Sequence, residues 1–304
     1  MMSEIGDEFM VGRARIRRVE EWAGSFLTPQ LLFAGFDEAA YAATRDSIGP
    51  AYLDRDTDAI QARIQSWVID TGDVVVLFDT GCGNQKVRPG IPVFDNLNTD
   101  FIARLARAGY APEDIDLVVC SHLHVDHVGW NTRLDGSTWV PTFANARYVF
   151  PAPDVEYWDP GNRHQYPDMV GEAVNAGFFE DSVRPILDCG LAQIVDGQIE
   201  IADGIRLDPN PGHTPGCQTM TVSSGGTAAM FVGDVLHHPL QILNPQWNSI
   251  FCEDAGQARA ARRHVLERAA DEEAILVPAH FAGDHAVRIV RNGDGFLQLP
   301  AFDS

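Results

Sequence analysis

The sequence predicts an α/β protein folded as a four-layer αββα sandwich in a single domain. Three observations carry this expectation: strand-length apolar runs recur along the chain, they fall into two groups, and a helical pattern closes each group. The 304 residues exceed an average domain of roughly 150, but layered α/β folds often run longer as one unit.

In chain order, Val11 to Trp22 alternates apolar and charged residues, with Arg13, Arg15 and Arg17 on one parity. It is expected as one strand with a basic, solvated outer face. Residues 26–63 are less patterned, so residues 1–63 are read as an N-terminal strand and an arm packed on the core. The arm would lie over the site or form a homodimer contact. The main domain is expected over 64–304. Ile64–Asp70 and Val74–Asp79 make a hairpin about Thr71-Gly72-Asp73, and Thr99 is a candidate cap for a helix to about Ala108, stopped by Gly109. Asp116–Cys120 is a continuous apolar run of the buried-strand type. Further strands are expected at Ala146–Phe150, Gln193–Ile194, Ile205–Leu207, Gln218–Ser223 and Ala228–Gly233, the last two joined at Gly225-Gly226. Asp254 with Gln257 resembles a capping box opening a helix to about Ala270, and the strand Ala274–Pro278 leads to Ala279-His280.

Composition removes several functions. With 22 Lys+Arg against 43 Asp+Glu, a formal charge of −21 disfavours nucleic-acid partners, whose phosphates need a basic face. A chain 45% hydrophobic and 21% charged can bury a core and does not match a disordered composition. No apolar run reaches the roughly 18 residues of a membrane span, and Met1–Gly12 does not read as a leader, so a cytoplasmic protein without a membrane partner is expected. The five cysteines lack CxxC spacing and suit reduced thiols. Lys86, the sole lysine, stands outside any GxxxxGK[ST] context, which excludes a P-loop and leaves Lys86 alone for Schiff-base chemistry.

The chemistry lies in five of the 10 histidines, which fall at strand ends beside turn residues together with two aspartates. Imidazole with carboxylate suits divalent zinc foremost, or manganese, iron or cobalt, whereas magnesium and calcium want oxygen throughout. In His122-x-His124-x-Asp126-His127, residues 122 and 124 share one parity of an extended turn, while 126 and 127 are rotated toward a second ion. Seven ligands then distribute as His122, His124 and His213 on the first metal, Asp126, His127 and His280 on the second, and Asp234 bridging. Such pairs, roughly 3.5–4 Å apart, hold a water as hydroxide.

Asp79-Thr80-Gly81, the His122–His127 cluster, Pro211-Gly212-His213-Thr214-Pro215-Gly216, Gly233-Asp234 and Pro278-Ala279-His280 together resemble the five ordered motifs of the metallo-β-lactamase superfamily. The resemblance runs from about residue 64 to 281. It implies the αββα fold, a dinuclear centre and a hydrolase, with Asp79 orienting a histidine ligand. True metallo-β-lactamases lack the histidine that here follows Asp126, and flavodiiron proteins carry glutamate at the place of His124. Glyoxalase II and tRNA-processing nucleases share the ligand set, but the acidic balance and the lack of an obvious basic pair for glutathione disfavour them. This leaves the lactonase and methyl parathion hydrolase-like branch. Quorum-quenching lactonases of that branch place a tyrosine three residues after the bridging aspartate. His237 stands there in this chain, as in enzymes resembling methyl parathion hydrolase.

The expectation is a dinuclear metal-dependent hydrolase that opens a lactone or cleaves an ester of a small, fairly apolar substrate through the bridging hydroxide. Asp126 would orient the hydroxide or take its proton, and His237 would either support the ligands from behind or serve as a proton shuttle. Alternatives are an organophosphate triester or aryl ester hydrolase, a mononuclear iron dioxygenase of the persulfide type using only the first-site ligands, and a noncatalytic binding protein. Trp130 and Phe281 are candidate pocket walls. The insertion 151–190, with Tyr157, Trp158, His164 and Tyr166, reads as a further wall or a surface loop. Cys120 and Cys217 read as packed thiols.

Overall fold

Two seven-stranded sheets stack face to face in the protein, a computed structural model that describes residues 7–302. The leader reading of the first six residues lies outside that range. Numbering only the strands of these sheets, the first holds β1 (Glu8–Val11), β2 (Ala14–Ser25), β3 (Gln61–Asp70), β4 (Val75–Phe78), β5 (Leu117–Val119), β6 (Arg147–Pro151) and β7 (Ala192–Val195), in that spatial order. The second holds β8 (Ile199–Ala202), β9 (Ile205–Pro209), β10 (Gln218–Ser224), β11 (Thr227–Gly233), β12 (Ile275–Pro278), β13 (Val287–Asn292) and β14 (Gly295–Pro300). Pairing is antiparallel from β1 to β4 and parallel from β4 to β7. In the second sheet only β11 and β12 run parallel, joined through the helix Ala255–Asp271.

Three apolar layers hold the stack together. Trp67, Val76 and Phe78 of the first sheet meet Met220, Phe231 and Val277 of the second, with Phe231 5.5 Å from Phe78 and 6.0 Å from Trp67. On the outer face of the first sheet, Val68, Leu77 and Val118 pack against Phe101 and Leu105 of the helix Phe101–Arg107. On that of the second, Met230, Val232 and Leu276 meet Val265, Leu266 and Ala269. Both faces of β4, β5, β11 and β12 are covered, which is why these strands read as unbroken apolar runs. This is the predicted αββα sandwich. Among the described residues no helix is long and apolar enough to cross a membrane.

The N-terminal region differs from its expected form. Val11–Trp22 is not one strand: the chain turns at Gly12-Arg13 between β1 and β2, so Arg13 sits in the turn, where it pairs with Asp73 at 3.4 Å. β2 pairs along its length with β3, and a boundary at 63/64 falls inside β3. Thr99 does not cap the following helix, whose first residue is preceded by Asp100; its hydroxyl turns instead to Glu21 and Asn84. Asp254 caps its helix as expected through Gly256 N and Gln257 N. Lys86 is only 1% exposed; with Arg88 it surrounds Asp181, from 3.3 Å, and it lies 2.8 Å from Thr132 Oγ1. Burial pushes its amine down to about 8, yet every neighbour is structural and it does not line the cavity described below.

Glu21 sits at a bulge in β2, where the register against β3 shifts between Glu20 and Trp22. The extra residue turns its carboxylate inward. There it accepts from Cys82 N (2.6 Å), Gly83 N (3.1 Å), Trp130 Nε1 (2.7 Å) and Thr99 Oγ1 (3.2 Å). Gly81 passes so close, with φ of +60°, that a Cβ there would meet Glu21 Oε2. Burial drives the Glu21 carboxyl up to about 7 in spite of these donors, above the 4.5 of the free side chain. Between those pH values the folded chain keeps a proton that the unfolded chain has lost, so stability falls as pH rises and levels off above 7. Relative to Glu21→Gln, the wild type should lose up to about 3 kcal/mol between pH 4.5 and 7 in urea melts. A flat difference across that range would rule out a buried, proton-retaining Glu21.

Candidate metal centre

β4, β5, β9, β11 and β12 all deliver their C-terminal ends to one place, and the loops leaving them bring together side chains up to 158 positions apart, from His122 to His280. Asp79, just past β4, adopts a left-handed backbone (φ 55°) that is unusual for a residue with a side chain. Its carboxylate fixes the geometry beyond β5, accepting from Ser121 N (2.7 Å) and Ser121 Oγ (2.9 Å) and lying 2.9 Å from His127 Nδ1. The expected role of Asp79 as an orienting acid matches this contact.

His122 Nε2 lies 3.1 Å from His124 Nδ1, and His213 Nε2 lies 3.0 Å from that same nitrogen. A second group, Asp126, His127 and His280, sits alongside. Asp234 stands between the two. Its Oδ2 is 3.2 Å from His213 Nε2 and 3.9 Å from His122 Nε2, while its Oδ1 is 2.9 Å from His280 Nε2 and 3.4 Å from His127 Nε2. The structure thus gathers all seven sequence-predicted ligand positions, with one carboxylate oxygen toward each half. His237 joins them, its Nε2 3.2 Å from Asp234 Oδ2.

The residues present fit a pair of divalent ions. His127 Nε2, Asp234 Oδ1 and both nitrogens of His237 are buried without a well-directed hydrogen bond even where they lie close to one another, and an ion or water among them would supply the missing contacts. Outer nitrogens are spoken for: His122 Nδ1 by Ser121 Oγ (3.0 Å), His127 by Asp79, and His280 Nδ1 by the Arg63 carbonyl (2.9 Å). Such contacts set the tautomer that leaves the inner nitrogen free to ligate. His213 Nδ1 instead faces Cys252 Sγ at 3.7 Å, a neighbour that nothing in the sequence signals.

Electrostatics favour a cation here. Burial, with the neighbouring imidazoles, pushes His122 and His124 well below the usual histidine range. Burial opposes charge on His127, His213 and His280 too, but Asp234, aided by Asp126 at His127 and His280, outweighs it; His213 is lifted to about 10. Burial would raise Asp234, yet His280, His127, His237 and His213 hold it well below the carboxylate range. His237 is pushed down to about 4 by burial, so its imidazole is neutral near pH 7.

A cavity opens on this cluster, with His124, Asp126, His213, Asp234, His237 and His280 at its floor. Trp22, Phe26, Phe94, Phe251, Leu32 and Ile64 form much of its wall. Trp130 and Phe281 correct the expectation: neither lines the cavity. The indole N–H of Trp130 needs a buried partner and finds Glu21, with the ring stacked on Phe101 at 5.4 Å, while Phe281 turns into the core against the edge of Tyr52. The insertion contributes Val174 and Asn175 to the wall, whereas its Tyr157 hydrogen-bonds Glu253 and its Trp158 packs edgewise on His124. The arm lies over the site through Phe26, Leu32 and Ile60. Cys120 and Cys217 are buried thiols outside both metal groups.

An αββα sandwich with histidines and aspartates gathered at its strand ends is the architecture of metal-dependent hydrolases. The chain belongs to the metallo-β-lactamase superfamily, whose family model matches residues 62–280. It is 29% identical over 187 residues to the N-acyl homoserine lactonase AiiB of Agrobacterium fabrum, covering 53% of this chain and 66% of that protein. It is 28% identical over 120 residues to an N-acyl homoserine lactonase of Bacillus cereus, 40% of this chain. The match spans only 38% of the length of that Bacillus relative. Among solved structures, the hydrolase AbOPH of the β-lactamase superfamily superposes with a TM-score of 0.81 at 19% identity over 98% of this chain and 97% of that one. AidC, a dizinc quorum-quenching lactonase, gives 0.76 at 20% identity with the same coverage. At these identities the two share the fold.

Metal analysis of the purified chain should find about two transition-metal equivalents, falling to one or fewer in Asp234→Asn and in His280→Ala. One tightly held iron with oxygen consumption would count against a two-ion centre.

Proposed function

We propose that the protein is a dinuclear metal-dependent hydrolase that opens the lactone ring of a small substrate bearing an apolar acyl chain. The observation that carries this reading is the cavity: a floor with five of the seven candidate ligands beneath a wall of aromatic and aliphatic side chains, with no lysine or arginine among the described residues that line it. A neutral acyl lactone suits such a wall, whereas the carboxylates of a glutathione thioester or the flanking phosphates of a nucleic acid would lie against apolar side chains with no lysine or arginine beside them. The sequence relatives named as N-acyl homoserine lactonases support the same class. Zinc suits the imidazole and carboxylate donors best, with manganese, iron or cobalt able to take their places.

Two dications held by His122, His124 and His213 and by Asp126, His127 and His280, with Asp234 reaching both groups, would acidify a water toward a pKa of about 7 and polarise the substrate carbonyl. The chain's own residues do the rest. Asp234 spans both halves and fixes their separation. Asp126, its side chain 16% exposed at the cavity floor, would take the proton of the attacking water. His237, neutral near pH 7 and with its Nε2 3.2 Å from Asp234 Oδ2, would give an N–H to the oxygen of the opening ring. The apolar wall excludes bulk water and seats the acyl chain.

Activity should rise with acyl length, because each buried methylene adds about 0.8 kcal/mol. Decanoyl-homoserine lactone carries six more methylenes than the butanoyl compound, worth at most about 5 kcal/mol when all are buried, and should exceed it in kcat/KM by up to roughly three-thousandfold. Ala62→Phe, which fills the wall, should erase that preference while sparing the short substrate. His237→Ala should lower kcat by roughly ten- to a hundredfold, the worth of one directed hydrogen bond. Hydrolysis of aryl esters or a phosphotriester with no lactone turned over at any chain length would sink the lactonase reading.

A further inference from the structure

Asp154 is a wholly buried carboxylate that pairs with no lysine or arginine among the described residues and does not line the cavity. It lies in the short helix Ala152–Trp158 at the start of the insertion, yet its hydrogen bonds leave that segment. Oδ2 accepts from Leu123 N at 2.8 Å and from Thr214 Oγ1 at 2.9 Å, and Oδ1 accepts from Gly216 N at 2.6 Å. Leu123 stands between His122 and His124, and Thr214 follows His213. One side chain therefore grips, from outside, both loops whose three imidazole nitrogens converge.

The grip follows the alternation of the metal loop. His122, His124 and Asp126 turn their side chains to the site, and the amides of the two residues between them are satisfied from the insertion. Leu123 N goes to Asp154, and Val125 N goes to Asn175 Oδ1 at 3.0 Å, so the insertion captures both. Gly216 leaves room for the carboxylate: a Cβ there would sit 2.8 Å from Asp154 Cγ. A buried charge of this kind is costly and is kept only where its partners repay it. Burial lifts the Asp154 carboxyl to about 6, with Leu123 N, Gly216 N and the Thr214 hydroxyl pulling the other way.

We propose that Asp154 is the positioning residue of the three-histidine half of the site, fixing the 121–126 and 212–216 loops at the spacing a single ion requires. It rests on the two-ion reading above and acts through His122, His124 and His213 without touching substrate.

The test is cobalt titration of the chelator-stripped full chain, followed by visible absorption, with Asp154→Ala and Thr214→Val beside the wild type. Asp154→Ala should weaken one of two bound Co(II) ions by roughly 10- to 100-fold and shift its d–d bands at saturation, and Thr214→Val should weaken it a few-fold. A merely structural role would lower the melting temperature and leave the saturated bands unchanged. If a folded Asp154→Ala chain takes up both ions with wild-type affinity and spectrum, the proposal is overturned. Should Asp154→Ala not fold, Thr214→Val decides, and unchanged cobalt affinity there overturns it equally. A wild type that binds no cobalt defeats the two-ion reading and this proposal together; two ions in the wild type with unaltered variants defeat the positioning role alone.

Discussion

The arrangement depends on the approach of His122 Nε2 and His213 Nε2 to His124 Nδ1, at 3.1 and 3.0 Å, among buried side chains. Lone pairs do not gather like this unaided. They are held by contacts on the opposite sides of the rings and loops, and the parallel strands supply the frame. β4, β5, β11 and β12 are covered on both faces, so their ends are among the least mobile points of the fold. Loops leaving such ends can hold polar groups in a costly arrangement because the apolar layers beneath have already fixed the backbone.

Around that frame, the parts with the weakest sequence pattern make the cavity specific. The arm supplies Phe26, Leu32 and Ile60, the loop before the helix Phe101–Arg107 supplies Ile91 and Phe94, and the insertion supplies Val174 and Asn175. Acidic side chains lie mostly outside this space. Asp126 and Asp234 belong to the site and would be offset by two dications, so the overall −21 charge describes the surface and says little about what enters the cavity.

The ligands were legible because their signal is local: His122-x-His124-x-Asp126-His127 packs four donors into six residues after an apolar run, and the other three sit just beyond recognisable strands. The fold class was legible for the same reason, since strand length and apolar content are read over a few residues. What escaped is what depends on contacts distant in the chain. Glu21 meets Cys82, Thr99 and Trp130 across 61 to 109 positions, and only a bulge in β2 turns it inward. An aromatic beside a ligand motif was a reasonable wall, but adjacency in sequence does not fix side-chain direction: Trp130 obeys its indole N–H, and Phe281 follows the core. The actual wall residues are ordinary apolar side chains, which no spacing distinguishes from core.

The burial of Lys86 has a practical consequence. Because the chain holds no other lysine, the described surface presents no lysine amine to acylating or cross-linking reagents. Its one ε-amine lies behind Asp181, Thr132 and the ring of Trp139, 3.8 Å away. Modification at this position must wait for the insertion to detach from the loop that carries Lys86 and Arg88. Its rate is therefore a built-in, single-residue clock for the opening of the segment that walls the cavity.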